Sequence, residues 1–200
     1  VPGAAVENAR ASIAEQIASI ELPEGYDMKW EGEKSASNES MKYLFKYYPL
    51  AVILMIAILI ALFKDYRKPA IIVLCLPLLF IGVIFGMRLS GKTFGFVAIV
   101  ATLGLVGMLI KNGIVLMDEI TLQINAGKEP VDALMESSAS RFRPVMLASL
   151  TTILGMIPLL GDSLFGPAAV VIMGGLLVGT LITLLFIPVL YALFYRIRIK

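Results

Sequence analysis

The sequence predicts an all-α polytopic membrane bundle of five transmembrane helices, preceded by a short soluble α+β segment. Three observations predict it. Of the 200 residues, 58% are hydrophobic and 16% charged, and mean hydropathy is +0.88; soluble domains run at about 45–50% apolar and about 25% charged. The excess is confined to residues 49–195, with the composition shifting near Tyr48-Pro49. Within that stretch the apolar residues form five runs, each close to the roughly 20 residues that cross a hydrocarbon core, the first and fourth near the lower limit of about 17. Five such runs in one short chain exceed the core of a soluble helical bundle.

The soluble segment comes first. At 6–20, VENARASIAEQIASI places Val6, Ile13, Ile17 and Ile20 near helical spacing, with Glu7, Arg10, Glu15 and Gln16 mostly elsewhere. That pattern predicts an amphipathic helix, which Pro23 and Gly25 end. At 26–31, Tyr26, Met28 and Trp30 alternate with Asp27, Lys29 and Glu31, the pattern of a half-buried strand. One helix and one strand do not make a stable domain, so residues 1–40 read as the tail of a larger soluble α+β domain, with 32–40 a polar connector. The first residue is Val and no signal peptide is visible, so the chain is expected to be a piece of a longer polypeptide.

Residues 41–200 form the membrane domain, with spans at about 47–63, 69–87, 94–117, 144–160 and 168–195. Polar clusters close each one: Lys64 to Lys68, Arg88 to Lys92, Asp118-Glu119, Gly161-Asp162-Ser163, and the basic tail from Arg196. Between the third and fourth spans, Asn125-Ala126-Gly127 forms a turn and Pro130 opens an amphipathic helix at about 129–140. That helix is expected to lie along the cytoplasmic face. Nine basic residues (Lys64, Arg67, Lys68, Lys128, Arg141, Arg143, Arg196, Arg198, Lys200) fall on one side of the alternating spans, against two (Arg88, Lys92) on the other. Basic residues crowd cytoplasmic loops, so the N-terminal segment is expected outside and the C-terminus inside. Lys42 and Lys46, ahead of the first span, weaken the contrast without reversing it.

Several chemistries lack their residues. There is one cysteine, Cys75, and no histidine, which removes an internal disulfide, Cys-based zinc, Ser-His and Cys-His catalysis, and the HExxH site. No P-loop is present, and nothing supports intramembrane proteolysis. The chain is therefore expected not to be an enzyme and to hold no metal or cofactor.

The third span carries the anomaly. Lys111 lies seven residues inside Asp118, about 10 Å along a helix that rises about 1.5 Å per residue. Two readings compete. Either its long stem snorkels to the interface, or the ammonium faces the bundle interior and finds a partner; Asn112 beside it and Gly104, Gly107 and Gly113 around it favour the second. Those glycines make one side of the helix small enough for close helix contact, which generic membrane packing explains equally. Gly82/Gly86 and Gly175/Gly179 have the GxxxG spacing of packing sites. On the fourth span Ser149, Thr151 and Thr152 reach about the depth of Lys111, and each hydroxyl serves either a polar route or its own helix carbonyls. Arg141 and Arg143 flank the start of that span. No Asp or Glu lies inside any apolar run, so the carboxylate that would pair with Lys111 is expected outside this sequence.

At 107–119 (GMLIKNGIVLMDE) and 141–159 (RFRPVMLASLTTILGMIPL) the chain resembles the C-terminal end of an inner-membrane efflux pump of the resistance-nodulation-division family, in its hydrophobe/amphiphile multidrug branch. The resemblance covers essentially the whole chain. It implies that residues 1–40 end a periplasmic porter domain and that the five spans are the eighth to twelfth of twelve. It further implies a multi-pass protein of the bacterial inner membrane that works as a homotrimer. Such a pump exchanges protons for hydrophobic or amphiphilic small molecules, and its partners are a periplasmic adaptor and an outer-membrane channel, with no nucleic acid among them. By motif alignment Lys111 is the relay lysine and Arg141 the relay arginine. The relay threonine falls at Ala148, a departure with two explanations: Thr151 or Thr152, one turn further in, substitutes for it, or the hydroxyl is dispensable. The family's aspartate pair is not in this chain, so the fragment alone is expected neither to couple protons nor to transport. Heavy-metal pumps of the family generally place an acid in this part of the tenth span, so Lys111 points to organic substrates. Export of metals or lipids on the same scaffold, or a non-transporting membrane scaffold, are the alternatives.

Overall fold

A computed structural model describes residues 33–197, together with Ile13 and Pro23. The helix expected at 6–20 and the strand expected at 26–31 lie outside the described residues. By its internal contacts the chain divides into two compact units, Val1–Tyr43 and Leu44–Lys200.

The described residues fold as α1 (Glu33–Phe63), α2 (Arg67–Ser90), α3 (Phe96–Asn125), α4 (Pro130–Met156), a 3-10 turn (Ile157–Gly161) and α5 (Gly166–Phe194). All five α-helices are long and apolar enough to cross a membrane. The architecture is an all-α bundle, and this is a multi-pass membrane protein.

Two boundaries differ from expectation. Residues 33–40 are helix rather than connector, continuous with the first span. Extending an existing helix avoids the unfavourable nucleation step, so a polar stretch of Glu, Lys, Ser and Ala joins the apolar helix below it. The amphipathic helix expected at 129–140 is likewise the first half of α4, which passes through Pro144 into the fourth span. Pro144 has no N–H for the Ser140 carbonyl, but one lost bond disrupts less than ending and renucleating the helix. Pro49, Pro77 and Pro188 are accommodated within α1, α2 and α5 in the same way.

The ends of the helices follow local chemistry. Gly91 ends α2 in the left-handed region, φ 64°, and donates its N–H to the Met87 carbonyl at 3.1 Å. Asp162 Oδ1 accepts the N–H groups of Leu164 (2.8 Å) and Phe165 (2.7 Å), fixing the turn into α5. Those two bonds, with Phe165's the larger effect, hold the Asp162 carboxyl below the usual carboxylate range.

The helix at the centre is α5: half of its apolar stretch is buried against α2, α3 and α4, against 6% for α1. In lipid there is no hydrophobic gain from moving a side chain from acyl tail to helix, so close backbone approach carries the packing. A methyl group on Gly82 of α2 would collide with the Gly174 carbonyl oxygen and sit 2.7 Å from Val178 Cβ of α5. One on Gly86 would lie 3.3 Å from the Val170 oxygen, and one on Gly179 would lie 2.7 Å from Leu109 Cδ1 of α3. Gly175 receives the Leu105 and Val83 side chains. These four glycines are helix contacts, and Gly174 is a fifth that the GxxxG pattern did not single out.

Candidate functional site: a lysine face on α3 and an α3–α4 ion pair

The two sides of α3 differ sharply. Leu105, Leu109, Gly113, Leu116, Met117 and Ile120 are buried in the bundle. Gly104, Gly107, Lys111, Val115 and Asp118 recur at three- and four-residue intervals and are exposed. Lys111 therefore points away from the core of these five helices rather than into it, and it makes no hydrogen bond or ion pair among the described residues. No described helix brings it a carboxylate, and an unpaired ammonium at this depth is costly both among Leu and Ile and against lipid.

The glycines around it divide. Gly113 is packed: a methyl there would meet Ile187 Cδ1 at 3.2 Å and Ile72 Cγ2 at 3.3 Å. Gly104 and Gly107 share the lysine's face and would meet nothing within 4 Å. The expected close contact at those two is absent among the described residues; Gly107 instead edges a groove whose other walls include Tyr48 and Val52 of α1 and Val73 and Leu76 of α2. The result is a narrow open surface with a cation at its centre and small residues on one side.

The hydroxyls of α4 are not gathered at Lys111. Thr151 donates to the Leu147 carbonyl at 2.8 Å and Thr152 to the Ala148 carbonyl at 3.0 Å, the internal bonding that one reading of the sequence allowed. Ser149 instead shares a 2.8 Å hydrogen bond with Thr180 of α5, and both are buried.

Arg141 does make a functional-looking contact. Its Nη2 donates to Glu119 Oε2 across the α3–α4 interface, and Gln123 Nε2 donates to Glu119 Oε1 at 3.0 Å. Lys128 Nζ donates to Gln123 Oε1 at 3.3 Å and also pairs with Glu136. Glu119 was legible in the sequence only as one of two acids closing the third span. The available signal was its four-residue spacing to Gln123 and its turn of about 80° from the Lys111 stripe at 3.6 residues per turn.

A second polar group at the same end of the bundle was also missed. Lys68 is buried, and its Nζ donates to Thr121 Oγ1 at 2.9 Å while lying 5.7 Å from the centre of the Phe63 ring. Thr121 passes its own proton to the Met117 carbonyl at 2.8 Å. Nearby, the Tyr195 hydroxyl donates to Asp65 Oδ2, with Tyr195 stacked on Tyr191 at 4.4 Å. In the sequence Lys68 was one positive charge among nine.

Residues 1–195 match the model of the AcrB/AcrD/AcrF family. The chain belongs to that family. Members similar to it include the multidrug resistance protein MdtC of Serratia proteamaculans, 28% identical over 99% of this chain and 20% of that protein. The nickel and cobalt resistance protein CnrA of Cupriavidus metallidurans is 30% identical over 98% of the chain and 18% of its own length. Among solved structures, a heavy metal efflux pump superposes with a TM-score of 0.74 and 25% identity, over 98% of this chain and 20% of that one. The chain thus spans about a fifth of the length of the relatives it matches. The resemblance to a resistance-nodulation-division pump is correct at the level of the family, and its relatives include both multidrug and metal-resistance proteins.

Proposed function

We propose that this chain is the C-terminal membrane part of a proton-driven exporter of hydrophobic or amphiphilic small molecules, a drug/proton antiporter and not an enzyme. The observation that carries this reading is Lys111: a cation midway along a membrane helix, on an open face lined by Gly104 and Gly107, with no partner among the described residues. A face of that kind suits a further helix bearing a carboxylate, and a lysine–carboxylate pair inside a membrane is a proton-responsive element. Arg141 is the second relay cation in this reading. Thr151 and Thr152 are accessory hydroxyls whose bonds to their own carbonyls would have to open during turnover. The protein would act as a homotrimer in the bacterial inner membrane, with the basic ends of the helices cytoplasmic, and would deliver substrate to a periplasmic adaptor and an outer-membrane channel.

The similarity to CnrA favours a second reading, export of divalent metal ions on the same scaffold. Lysine rather than an acid at position 111 supports organic cargo, since an ammonium repels a metal cation. The test is Lys111→Ala in the full-length protein, assayed for resistance to amphiphilic cations and, separately, to nickel and cobalt. Loss of drug resistance at unchanged expression and assembly is expected. Undiminished drug resistance would remove Lys111 from the relay, and resistance to metals alone would establish the second reading.

A further inference from the structure

Asp118 and Glu119 are adjacent in sequence but face different surroundings. Asp118 lies on the exposed stripe with Lys111. Glu119 turns toward α4, with its side chain 20% exposed, and both its oxygens are used: Oε2 by Arg141 and Oε1 by Gln123. It is eight residues beyond Lys111, about 12 Å along the helix. Charged groups approach it from α4 (Arg141) and from the turn after α3 (Lys128, through Gln123). The cation on α2, Lys68, is engaged by Thr121. Arg196, just past α5, lines a groove with Val131, Leu134 and Ser138.

An arginine is charged at every accessible pH, so the only member of the Arg141–Glu119 pair that can change charge is the glutamate. We infer that Glu119 is a positioning residue for Arg141: ionised, it holds the guanidinium against α3, and protonated, it releases it. The inference rests on the reading of Arg141 as a relay cation. It adds to that reading a titratable group within this chain, on the side of the bundle that carries Lys128 and Glu136, and so makes the relay sensitive to pH on that side. The pair is also a conformational tie. While it is closed, the end of α3 and the first half of α4 are held together, and Gln123 and Lys128 extend the tie to Glu136.

The test uses the full-length pump in proteoliposomes. Ethidium transport is driven by an imposed proton gradient, and the pH on the Glu119 side is varied from about 3 to about 7, a range that brackets an ordinary glutamate. The unmodified pump is expected to lose transport as that side is acidified. Glu119→Gln is expected to transport at least about threefold more slowly at the upper pH, in the range of coupling between contacting charges, and to show a flat profile that meets the unmodified one at the acid end. Glu119→Asp should restore the sloping profile. Glu119→Gln combined with Arg141→Ala should be no slower than Arg141→Ala alone. An unmoved profile in Glu119→Gln, or losses that multiply in the double variant, would overturn the inference, because a purely structural ion pair changes protein yield and not the shape of the pH profile. Lys111→Ala separates the two levels. Coupled transport surviving that substitution overturns the relay reading and this inference with it. Its loss in Lys111→Ala, together with an unmoved profile in Glu119→Gln, overturns the inference alone.

Discussion

Ser149 of α4 and Thr180 of α5 share a hydrogen bond of 2.8 Å in the buried interior of the bundle, where they are 4% and 1% exposed. Helices in lipid have no hydrophobic reason to associate, so a hydroxyl pair at this depth is one of the few directional forces holding α4 against α5. Replacing Ser149 by Ala or Thr180 by Val in the full-length protein should each lower stability by about 0.6 kcal/mol, with about 1.7 kcal/mol as the ceiling for such bonds. The double variant should cost little more than either single one. Unfolding in mixed micelles measures this, and additive losses would mean that the two hydroxyls act independently.

The bundle was legible because its signals are long. Five apolar runs and their polar punctuation survive any local irregularity, and the ends at Gly91 and Pro130 follow from short-range backbone chemistry. The errors fell where a local signal lost to continuity. The polar stretch from Ser35 and the proline at 144 look like breaks, but each sits in a helix already nucleated on its apolar side. The site was half legible. Lys111 stands out by cost alone, but its direction does not, since a period of 3.6 residues places it on a stripe without saying which stripe the core takes. Glu119, Lys68 and Thr180 were hidden because pairing across helices depends on which faces meet, and neighbours in sequence carry no such information.

Glycines with the same sequence signature should divide by face. At Gly179 a methyl would press on Leu109, and at Gly82 on the Gly174 backbone, which cannot move aside as a side chain can. Gly82→Ala should therefore destabilise the protein by about 1–3 kcal/mol, the cost of overpacking, and Gly179→Ala somewhat less. Gly104→Ala meets no described atom and should leave the five-helix packing intact. Thermal denaturation of the three variants checks the order. Equal effects at Gly82 and Gly104 would mean that the α2–α5 contact is not the tight one.

Lys68 is a buried cation whose hydrogen-bond partner, Thr121, is neutral and whose charge also reaches the Asp65 carboxylate. Thr121→Val removes the oxygen that accepts from Nζ and leaves the ammonium unsatisfied, a loss of about 1–3 kcal/mol. Lys68→Met removes the charge with its desolvation cost, and with it the attraction to Asp65, so it should cost less than Thr121→Val. One variant leaves the charge without its hydrogen-bond partner, and the other removes the charge. If Lys68→Met proves as damaging as Thr121→Val, the lysine has a role at that end of the bundle beyond packing.

The Asp65–Tyr195 contact ties the turn between α1 and α2 to the end of α5, and it should be visible in the acid limb of stability. Burial pushes the Asp65 carboxyl up, but the bonds from the Tyr195 hydroxyl and the Arg67 N–H, with the charges of Lys68 and Arg67, outweigh it and hold the group below its ordinary value. A carboxyl lowered on folding contributes stability that is fully present above its unfolded value of about 3.9 and is lost as pH falls through the lower folded value. Tyr195→Phe removes the larger of the two hydrogen bonds and so most of that contribution. The variant should melt below the unmodified protein near neutral pH, and the gap should narrow as pH falls below about 4. Melting temperatures of both proteins between about pH 3 and about pH 7 measure it. A gap that stays constant across that range would mean that the phenol acts through its stacking on Tyr191 and not through the carboxylate.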